Sequence, residues 1–289
     1  MDDNFIFKQQ FPKACDNKTR YIAIVDDLSG SGLGFVSIIL RTALRIAAVH
    51  GRILIEIPAE TPRWCNTSPY TWECYYEKWT NCTPRNQITR NNTVPLNRAK
   101  SSNVVALMSM KKLWFSGLWR KGRFRHGWYE GFERDAMKVL FTPKVRYMKE
   151  AGRVLQRCRM SRRDYLTVHI RWSPEKLKEN ANMPKFSQYT KAIPSNVSNV
   201  FWQTSNPAIL EAVKKFAANA TFRSCFTDEK RYNYDNWGGR NATMIADASR
   251  VAVINGYLGR QGTMGVLSSK KSMWTWFLLT GTTLKLWDV

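Results

Sequence analysis

The fold is constrained most by a β–turn–α–β unit near the start of the chain. The run Tyr21 to Val25 predicts a strand, and Ser29 to Gly34 forms a glycine-rich turn after it. From Phe35 to His50 apolar residues recur with helical spacing, and Arg52 to Ile57 predicts a second strand. Neighbouring strands joined through a helix run parallel, with a right-handed crossover, so this unit predicts a parallel sheet.

A second series of α/β patterns occupies the later part of the chain. Together with the first unit it predicts an α/β fold in which two Rossmann-like domains face a cleft. The basic segment Arg159 to Arg163 separates the two series, so we expect an N-terminal domain of residues 1–160 and a C-terminal domain of residues 161–289. The later elements are predicted strands at Tyr165 to Ile170, Val200 to Thr204 and Val251 to Ile254, and predicted helices at Pro207 to Ala218 and Thr243 to Ser249.

The charge of the chain points to an anionic partner. Lys and Arg number 45 against 22 Asp and Glu, a net charge of +23, which attracts a polyanion, a phosphate-bearing ligand or an anionic membrane. No apolar run approaches the roughly 18 residues that span a bilayer, so no transmembrane segment is predicted. The acidic start Met1 to Asn4 is not a secretion signal. We therefore expect a cytoplasmic protein as written, or a Golgi-lumenal one if the chain is a truncated form.

Several common site types are excluded by their motifs. The six cysteines form no C-x-x-C pair and no His stands at zinc-finger spacing, so a structural zinc site is not expected. An Asp-x-Asp triplet, a P-loop, G-x-S-x-G and H-E-x-x-H are all missing, which excludes the usual metal clamp, ATPase, serine hydrolase and zinc protease classes. Seven N-x-S/T sequons suit a secreted glycoprotein, although an Asn- and Thr-rich chain also produces them by chance. They begin at Asn17, Asn66, Asn81, Asn91, Asn196, Asn219 and Asn241.

The segment Val168 to Glu179 carries the most informative polar residues. A strand that ends in His169 and Arg171 delivers both side chains to the carboxyl edge of a sheet, where α/β folds bind ligands. An Arg there can hold a diphosphate through two parallel hydrogen bonds. Glu175 and Glu179 follow, and either could accept a proton from an attacking hydroxyl. The alternative is that these polar residues simply face water.

Two glycine-rich segments are candidate phosphate-binding loops. Gly32 and Gly34 precede a helix, so they either let the backbone approach an anionic ligand at the helix N-terminus or form a plain tight turn. After the predicted strand Val251 to Ile254, a loop with three glycines could aim backbone N–H groups at a phosphate, the alternative being an ordinary surface loop. The candidate ligands in that loop are Asn255, Gly256, Gln261, Gly262 and Thr263.

Residues 111–129 interleave aromatic rings with basic side chains. Rings such as Trp119 and Trp128 stack on sugars, and the same composition lines grooves that bind single-stranded nucleic acid. No RNP-type, KH or helix-turn-helix motif accompanies the segment, so nucleic-acid binding is the second hypothesis. A third is that these rings belong to the core and the Lys and Arg between them are solvated.

The order of these segments resembles the GT-B fucosyltransferases, and in particular the α-1,6-fucosyltransferase family. The resemblance runs from about residue 20 to residue 280, and no single motif carries it. The matching segments are Gly30 to Gly34, Trp64 to Cys82, Trp128-Tyr129-x-x-Phe132, Val168 to Arg171, Phe201 to Pro207 and Val251 to Gly262.

The resemblance implies a GT-B glycosyltransferase that acts without metal and inverts the anomeric centre. Residues 1–160 would mainly shape the acceptor side, with Trp119 and Trp128 against a glycan or glycoprotein, and residues 161–289 would hold the nucleotide-sugar donor. His169 corresponds to the nucleotide-contacting His of the family and Arg171 to the Arg that neutralises the β-phosphate. Glu179 falls at the position of the general base.

Two positions depart from the family pattern and leave the donor open. Trp172 stands where the family has a second Arg, and Asn241 is the nearest counterpart of the Asp that reads guanine. Losing that carboxylate is compatible with a uracil base, which offers no comparable pair of donors on one edge. The expected donor is therefore GDP-fucose or a UDP-sugar such as UDP-xylose, with no further cofactor. A basic single-stranded nucleic-acid-binding protein is the alternative.

Overall fold

Two sheets of parallel strands form the framework of the chain in the computed structural model. By their internal contacts the residues group into two units, Met1–Thr142 with Tyr234–Ala246 and Pro143–Asn233 with Asp247–Val289. No helix among the described residues is both long and apolar enough to cross a bilayer. The structure describes residues 5–16, 18–25, 33–58, 65, 70–83, 88–99, 105–115, 131–170, 184–204, 206–227, 242–267, 277–278 and 285–288.

The first unit contains a four-stranded parallel sheet with the strand order β2-β1-β4-β3. Ala23 of β1 pairs with Ile55 of β2 on one side and with Leu107 of β4 on the other. The elements are α1 (Phe5–Gln10), β1 (Tyr21–Val25), α2 (Leu33–Val49), β2 (Ile53–Ile57), β3 (Thr93–Pro95), β4 (Val105–Ser109), α3 (Met110–Phe115) and α4 (Phe132–Phe141).

The predicted β–turn–α–β unit is confirmed by β1, α2 and β2. The two strands are adjacent and parallel, and the helix between them lies within two residues of its predicted bounds. One face of the sheet buries Ala23, Ile53 and Ile55 in a single apolar cluster, which also contains Cys82. Both sheet faces need cover in a parallel sheet, which explains why these strands are apolar at nearly every position.

An ion-pair cluster joins α2 to α4. The Glu133 carboxylate accepts hydrogen bonds from Arg41 Nη1 at 2.5 Å and from Arg45 Nη2 at 2.9 Å. Arg45 also lies 4.6 Å above the Phe132 ring centroid. Burial lowers the pKa of the Arg45 guanidinium, and the Glu133 charge opposes that shift. The two arginines thus share one carboxylate, which holds the helices in register.

The later elements build a five-stranded parallel sheet with the order β7-β6-β5-β8-β9. Counted along the chain, this is the doubly wound order 3-2-1-4-5 of Rossmann-like sheets. The elements are α5 (Val145–Arg157), β5 (Leu166–His169), α6 (Phe186–Lys191), β6 (Asn199–Gln203), α7 (Pro207–Ala218), β7 (Arg223–Phe226), α8 (Ala242–Gln261), β8 (Met264–Leu267) and β9 (Lys285–Asp288).

Helices cover both faces of this sheet. Alternate strand residues such as Val168 and Trp202 pack with Tyr189 of α6 and Val213 of α7. The opposite face packs against α5 and α8, through a second cluster formed by Tyr165, Phe201, Cys225, Val154, Leu155, Ile254 and Leu258. The sheet is therefore the middle layer of an α/β/α sandwich, as the alternation of side chains along each strand requires.

The predicted strand at Val251 to Ile254 is wrong, because these residues lie inside α8. A short apolar run bounded by a glycine does not distinguish a strand from a buried helix by periodicity alone. Within α8 the buried positions recur with helical spacing, as in Ile254 and Leu258. The predicted helix Thr243 to Ser249 is the first half of the same helix.

Three disulfide bonds pair all six cysteines. Cys15–Cys82 and Cys65–Cys74 lie in the first unit, and Cys158–Cys225 ties the end of α5 to β7 in the second. Cys15–Cys82 and Cys158–Cys225 each join residues 67 positions apart, so each constrains a long stretch of the unfolded chain.

Candidate functional site

The strand order of the five-stranded sheet marks one position along its carboxyl edge as the candidate ligand site. From β5 the chain adds β6 and β7 on one side, and then returns to add β8 and β9 on the other. The order therefore reverses between β5 and β8. In open α/β sheets ligands bind outside the carboxyl ends of the strands at such a reversal, because the loops that follow the two strands diverge there.

His169 lies at this reversal, as the last residue of β5. It pairs with Gln203 of β6 and with Leu267 of β8, and it is 9% exposed. Side chains alternate along a strand, so His169 is on the same sheet face as Tyr165 and Thr167. The prediction that a strand delivers His169 to the carboxyl edge is confirmed.

The same sheet face is bonded closely to α8. Tyr165 donates its hydroxyl to the Leu258 carbonyl at 2.7 Å, and Thr167 donates to the Gly259 carbonyl at 3.0 Å. Burial raises the pKa of the Tyr165 hydroxyl, which keeps it a neutral donor. These bonds hold α8 close against the sheet face on which His169 lies.

Further polar residues surround the ends of β6 and β7, and all but Thr227 are buried. Gln203 ends β6, Thr204 and Asn206 follow it, and Thr227 follows β7. The prediction did not select them, although polar residues at the end of a predicted parallel strand are the pattern that identified His169. We call the following set the carboxyl-edge cluster: His169, Gln203, Thr204, Asn206, Thr227 and Asn255.

Asn255 is the centre of this cluster rather than part of a loop. It is fully buried within α8. Its side-chain Oδ1 accepts a hydrogen bond from Thr227 Oγ1 at 2.5 Å, and its carbonyl accepts one from Gln203 Nε2 at 2.5 Å. The backbone oxygen of Gln203 in turn accepts from the Ile170 amide at 2.9 Å. One asparagine thus links α8 to the ends of β6 and β7, next to His169.

Asn206 caps helix α7 at the same edge. Its side-chain Oδ1 accepts from the amides of Ala208 at 2.9 Å and Ile209 at 3.1 Å, and Pro207 occupies the first helical position. Pro at that position removes a donor that would otherwise lack a partner. The positive end of the helix dipole therefore lies beside the end of β6, where it favours an anion.

The predicted glycine-rich loop over residues 255–263 is wrong. Gly256 and Gln261 belong to α8. Gly262 and Thr263 precede β8, and the Thr263 amide donates to the Tyr165 carbonyl at 3.0 Å, at the amino edge of the sheet. A loop there lies at the edge opposite to His169. The geometry that suggested a phosphate at Gly256, Gln261, Gly262 and Thr263 is therefore absent.

Close packing explains the glycines instead. A Cβ on Gly259 would lie 2.6 Å from Gln203 Nε2, and a Cβ on Gly262 would lie 2.5 Å from Thr167 Oγ1 and 3.1 Å from the Tyr165 carbonyl oxygen. Glycine at these positions lets α8 and its end approach the sheet closely. The glycines that suggest a loop in the sequence are thus required for close contact between the helix and the sheet.

Of the remaining predicted site residues, the structure describes only Gly34. Gly34 lies in the first turn of α2, where its carbonyl accepts from Ser37 Oγ at 2.7 Å. That turn follows β1, so Gly34 is at the carboxyl edge of the first sheet. Outside the described residues lie Gly32, Trp119, Trp128, Arg171, Glu175, Glu179 and Asn241.

The fold is similar to that of fucosyltransferases. A mutant of Arabidopsis thaliana FUT1 in complex with GDP matches 98% of this chain and 72% of its own length, with a TM-score of 0.54 and 11% identity. NodZ fucosyltransferase from Bradyrhizobium matches with a TM-score of 0.47, 14% identity and coverages of 90% and 92%. No protein-family model and no curated protein matches the sequence significantly. The FUT1 similarity shows that this chain has a fucosyltransferase-like fold.

The packing role of Gly262 can be separated from a phosphate-binding role. Gly262→Ala should lower the free energy of unfolding by about 1–3 kcal/mol, because the new methyl overpacks Thr167 and the Tyr165 carbonyl. The matched control is Gly152→Ala in α5, where a Cβ would meet no atom within 4 Å and should raise that free energy by roughly 0.5–1 kcal/mol. Urea unfolding measures both. A Gly262→Ala protein that is as stable as the wild type but no longer binds nucleotide would instead support a phosphate-binding role for this glycine.

Proposed function

We propose that this chain is a glycosyltransferase that transfers a sugar from a nucleotide diphosphate donor to a hydroxyl of a glycan or glycoprotein. The observation that carries the proposal is the position of His169, at the strand-order reversal of a parallel sheet within a fucosyltransferase-like fold. A nucleotide at a reversal of this type is the general rule for doubly wound sheets. The FUT1 structure of similar fold is a complex with GDP.

The donor belongs, in this proposal, to a C-terminal domain of residues 161–289 in a GT-B arrangement. His169 contacts the nucleotide, and Arg171, two residues beyond the carboxyl end of β5, pairs with the β-phosphate. The dipole of α7 adds a positive potential at the same edge. The net charge of +23 supports a phosphate-bearing ligand. Residues 1–160 form the acceptor side, with Trp119 and Trp128 stacking on sugar rings.

The proposed reaction inverts the anomeric carbon and uses no metal. The acceptor oxygen attacks from the face opposite the diphosphate, so a C–O bond to the acceptor forms as the bond to the diphosphate breaks. Glu179 takes the hydroxyl proton, with Glu175 as the alternative base. Arg171 stabilises the departing diphosphate in place of a cation. Each of these roles is assigned to a residue type whose chemistry suits it.

The donor is proposed to be GDP-fucose or a UDP-sugar such as UDP-xylose. The two differ in the base that the site must read. Asn241, in the place of a guanine-reading carboxylate, is compatible with either. Direct comparison of GDP and UDP binding therefore decides the donor class, and a short single-stranded oligonucleotide in the same titration tests the rival nucleic-acid function.

Replacing His169 tests the donor site. His169→Ala should weaken binding of the preferred nucleoside diphosphate by about tenfold or more, the scale of one hydrogen bond to a charged group. The matched control is His50→Ala, which removes an exposed imidazole beyond the end of α2 and should leave the affinity unchanged. Isothermal titration calorimetry measures both variants. Unchanged affinity in His169→Ala contradicts the site, and tight oligonucleotide binding without nucleotide binding would favour the rival.

The proposed base is tested by turnover in excess EDTA. Glu179→Gln should lower kcat by roughly 100-fold or more and leave donor affinity unchanged, because the amide cannot take the proton. Glu175→Gln is the matched control and should remain active. An inactive Glu175→Gln variant together with an active Glu179→Gln variant would identify Glu175 as the base instead. Loss of wild-type activity in EDTA with rescue by manganese would refute the metal-free mechanism.

A further inference from the structure

Two exposed asparagines lie at the amino edge of the five-stranded sheet, opposite to the carboxyl-edge cluster. Asn196 lies in the turn before β6, and Asn219 follows the last residue of α7, before β7. Each begins an N-x-S/T sequon, and the hydroxyl residues Ser198 and Thr221 are exposed as well. Both the acceptor amide and the recognised hydroxyl are therefore on the surface.

Both sequons occupy tight turns beside an open groove. The Val197 amide donates to the Pro194 carbonyl at 3.2 Å, and the Ala220 amide donates to the Ala217 carbonyl at 3.3 Å. The groove has a volume of about 670 Å³ and offers polar groups together with one aromatic ring. It leaves space for sugar rings beside either asparagine. Its lining includes Asn196, Ser198, Thr221, Phe222 and Arg223.

The disulfide bonds are an independent observation that bears on the same two residues. All six cysteines are paired, which is the pattern of proteins that mature in an oxidising compartment. Of the two locations expected from the sequence, the disulfides favour the lumenal one. N-linked glycosylation of N-x-S/T sequons takes place on secreted and lumenal chains. The pairing therefore supports maturation in the compartment in which exposed sequons are modified.

We infer that Asn196 and Asn219 carry N-linked glycans. The donor is a lipid-linked oligosaccharide diphosphate, and a membrane-bound oligosaccharyltransferase is the catalyst. The asparagine Nδ2 attacks the anomeric carbon, so a C–N bond forms as the bond from that carbon to the diphosphate breaks. The amide proton passes to a base of the transferase, and the lipid diphosphate leaves. No redox step or further reactant is required.

The contacts of Asn81 differ from those of the two amino-edge asparagines. Its Nδ2 donates to the Pro12 carbonyl at 3.0 Å. The next residue, Cys82, is bonded to Cys15, so the asparagine is held against a distant part of the chain. The Asn219 Nδ2 donates within its own helix, to the Lys215 carbonyl at 3.3 Å. The proposal is made for Asn196 and Asn219, the two sequons at the amino edge of the sheet.

The position of the glycans is compatible with a ligand at the other edge. Strand β6 spans five residues, so its two ends lie about 13 Å apart. Glycans at the amino edge would extend from that end into solvent. The inference does not depend on the proposed function, because it rests on the exposed sequons and the disulfides alone.

The test is peptide mapping of the full chain purified from the cells that produce it. Peptide N-glycosidase in heavy-oxygen water converts each glycosylated asparagine to a labelled aspartate, which identifies the site. We expect the label at Asn196 and Asn219 and a gel shift after treatment. Thr221→Ala should lose the Asn219 glycan and Ser198→Ala the Asn196 glycan. The matched controls Thr221→Ser and Ser198→Thr, expressed in the same cells, should keep both.

Two results would overturn the inference. In the first, Asn196 and Asn219 carry no label although the cysteines resist alkylation until they are reduced. Such a chain has matured in an oxidising compartment without being glycosylated. The second is a chain whose six cysteines are alkylated without reduction, because it has never entered that compartment. Neither result concerns nucleotide binding, so the proposed function stands or falls separately.

Discussion

The parallel pairing of β5 with both β6 and β8 is the interaction on which the candidate site depends. It aligns the carboxyl ends of three strands, so His169, Gln203 and Leu267 lie side by side. The strand order reverses between β5 and β8, and doubly wound sheets bind ligands outside the carboxyl ends of the strands at such a reversal. An antiparallel sheet would place alternate strand ends at opposite edges and disperse the same residues.

The packing of α8 is the second requirement. Two bonds from Tyr165 and Thr167 hold the helix against the sheet, and glycine at position 259 allows the close approach. The same approach brings Asn255 to the ends of β6 and β7. A cluster of buried polar groups of this kind is costly unless its members are hydrogen-bonded, so its cohesion indicates that the carboxyl edge is built to a defined geometry.

The sequence predicts the elements whose apolar residues recur with a clear period. It also predicts a polar residue at the carboxyl end of a strand, because all doubly wound sheets bind ligands at that edge. The unit of β1, α2 and β2, the helix Pro207–Ala218 and the place of His169 at a strand end are of this kind. The prediction is wrong for α8. A short β-branched run followed by glycines fits either a strand with a loop or a buried helix, and only the surface it packs against decides between them. The disulfide pairing was equally beyond reach, since six cysteines allow many connectivities and spacing does not select among them.

Hydrogen exchange in the presence of nucleotide tests the central claim most directly. The amides of Ile170, Thr204 and Thr227 belong to the carboxyl edge, and those of Val197 and Ala220 belong to the amino edge. If a nucleoside diphosphate sugar binds at the strand-order reversal, GDP or UDP should slow exchange in peptides of the carboxyl edge and leave the amino edge unchanged. Protection confined to the amino edge, or no protection by either nucleotide at saturating concentration, would contradict the assignment of the carboxyl edge as the donor site.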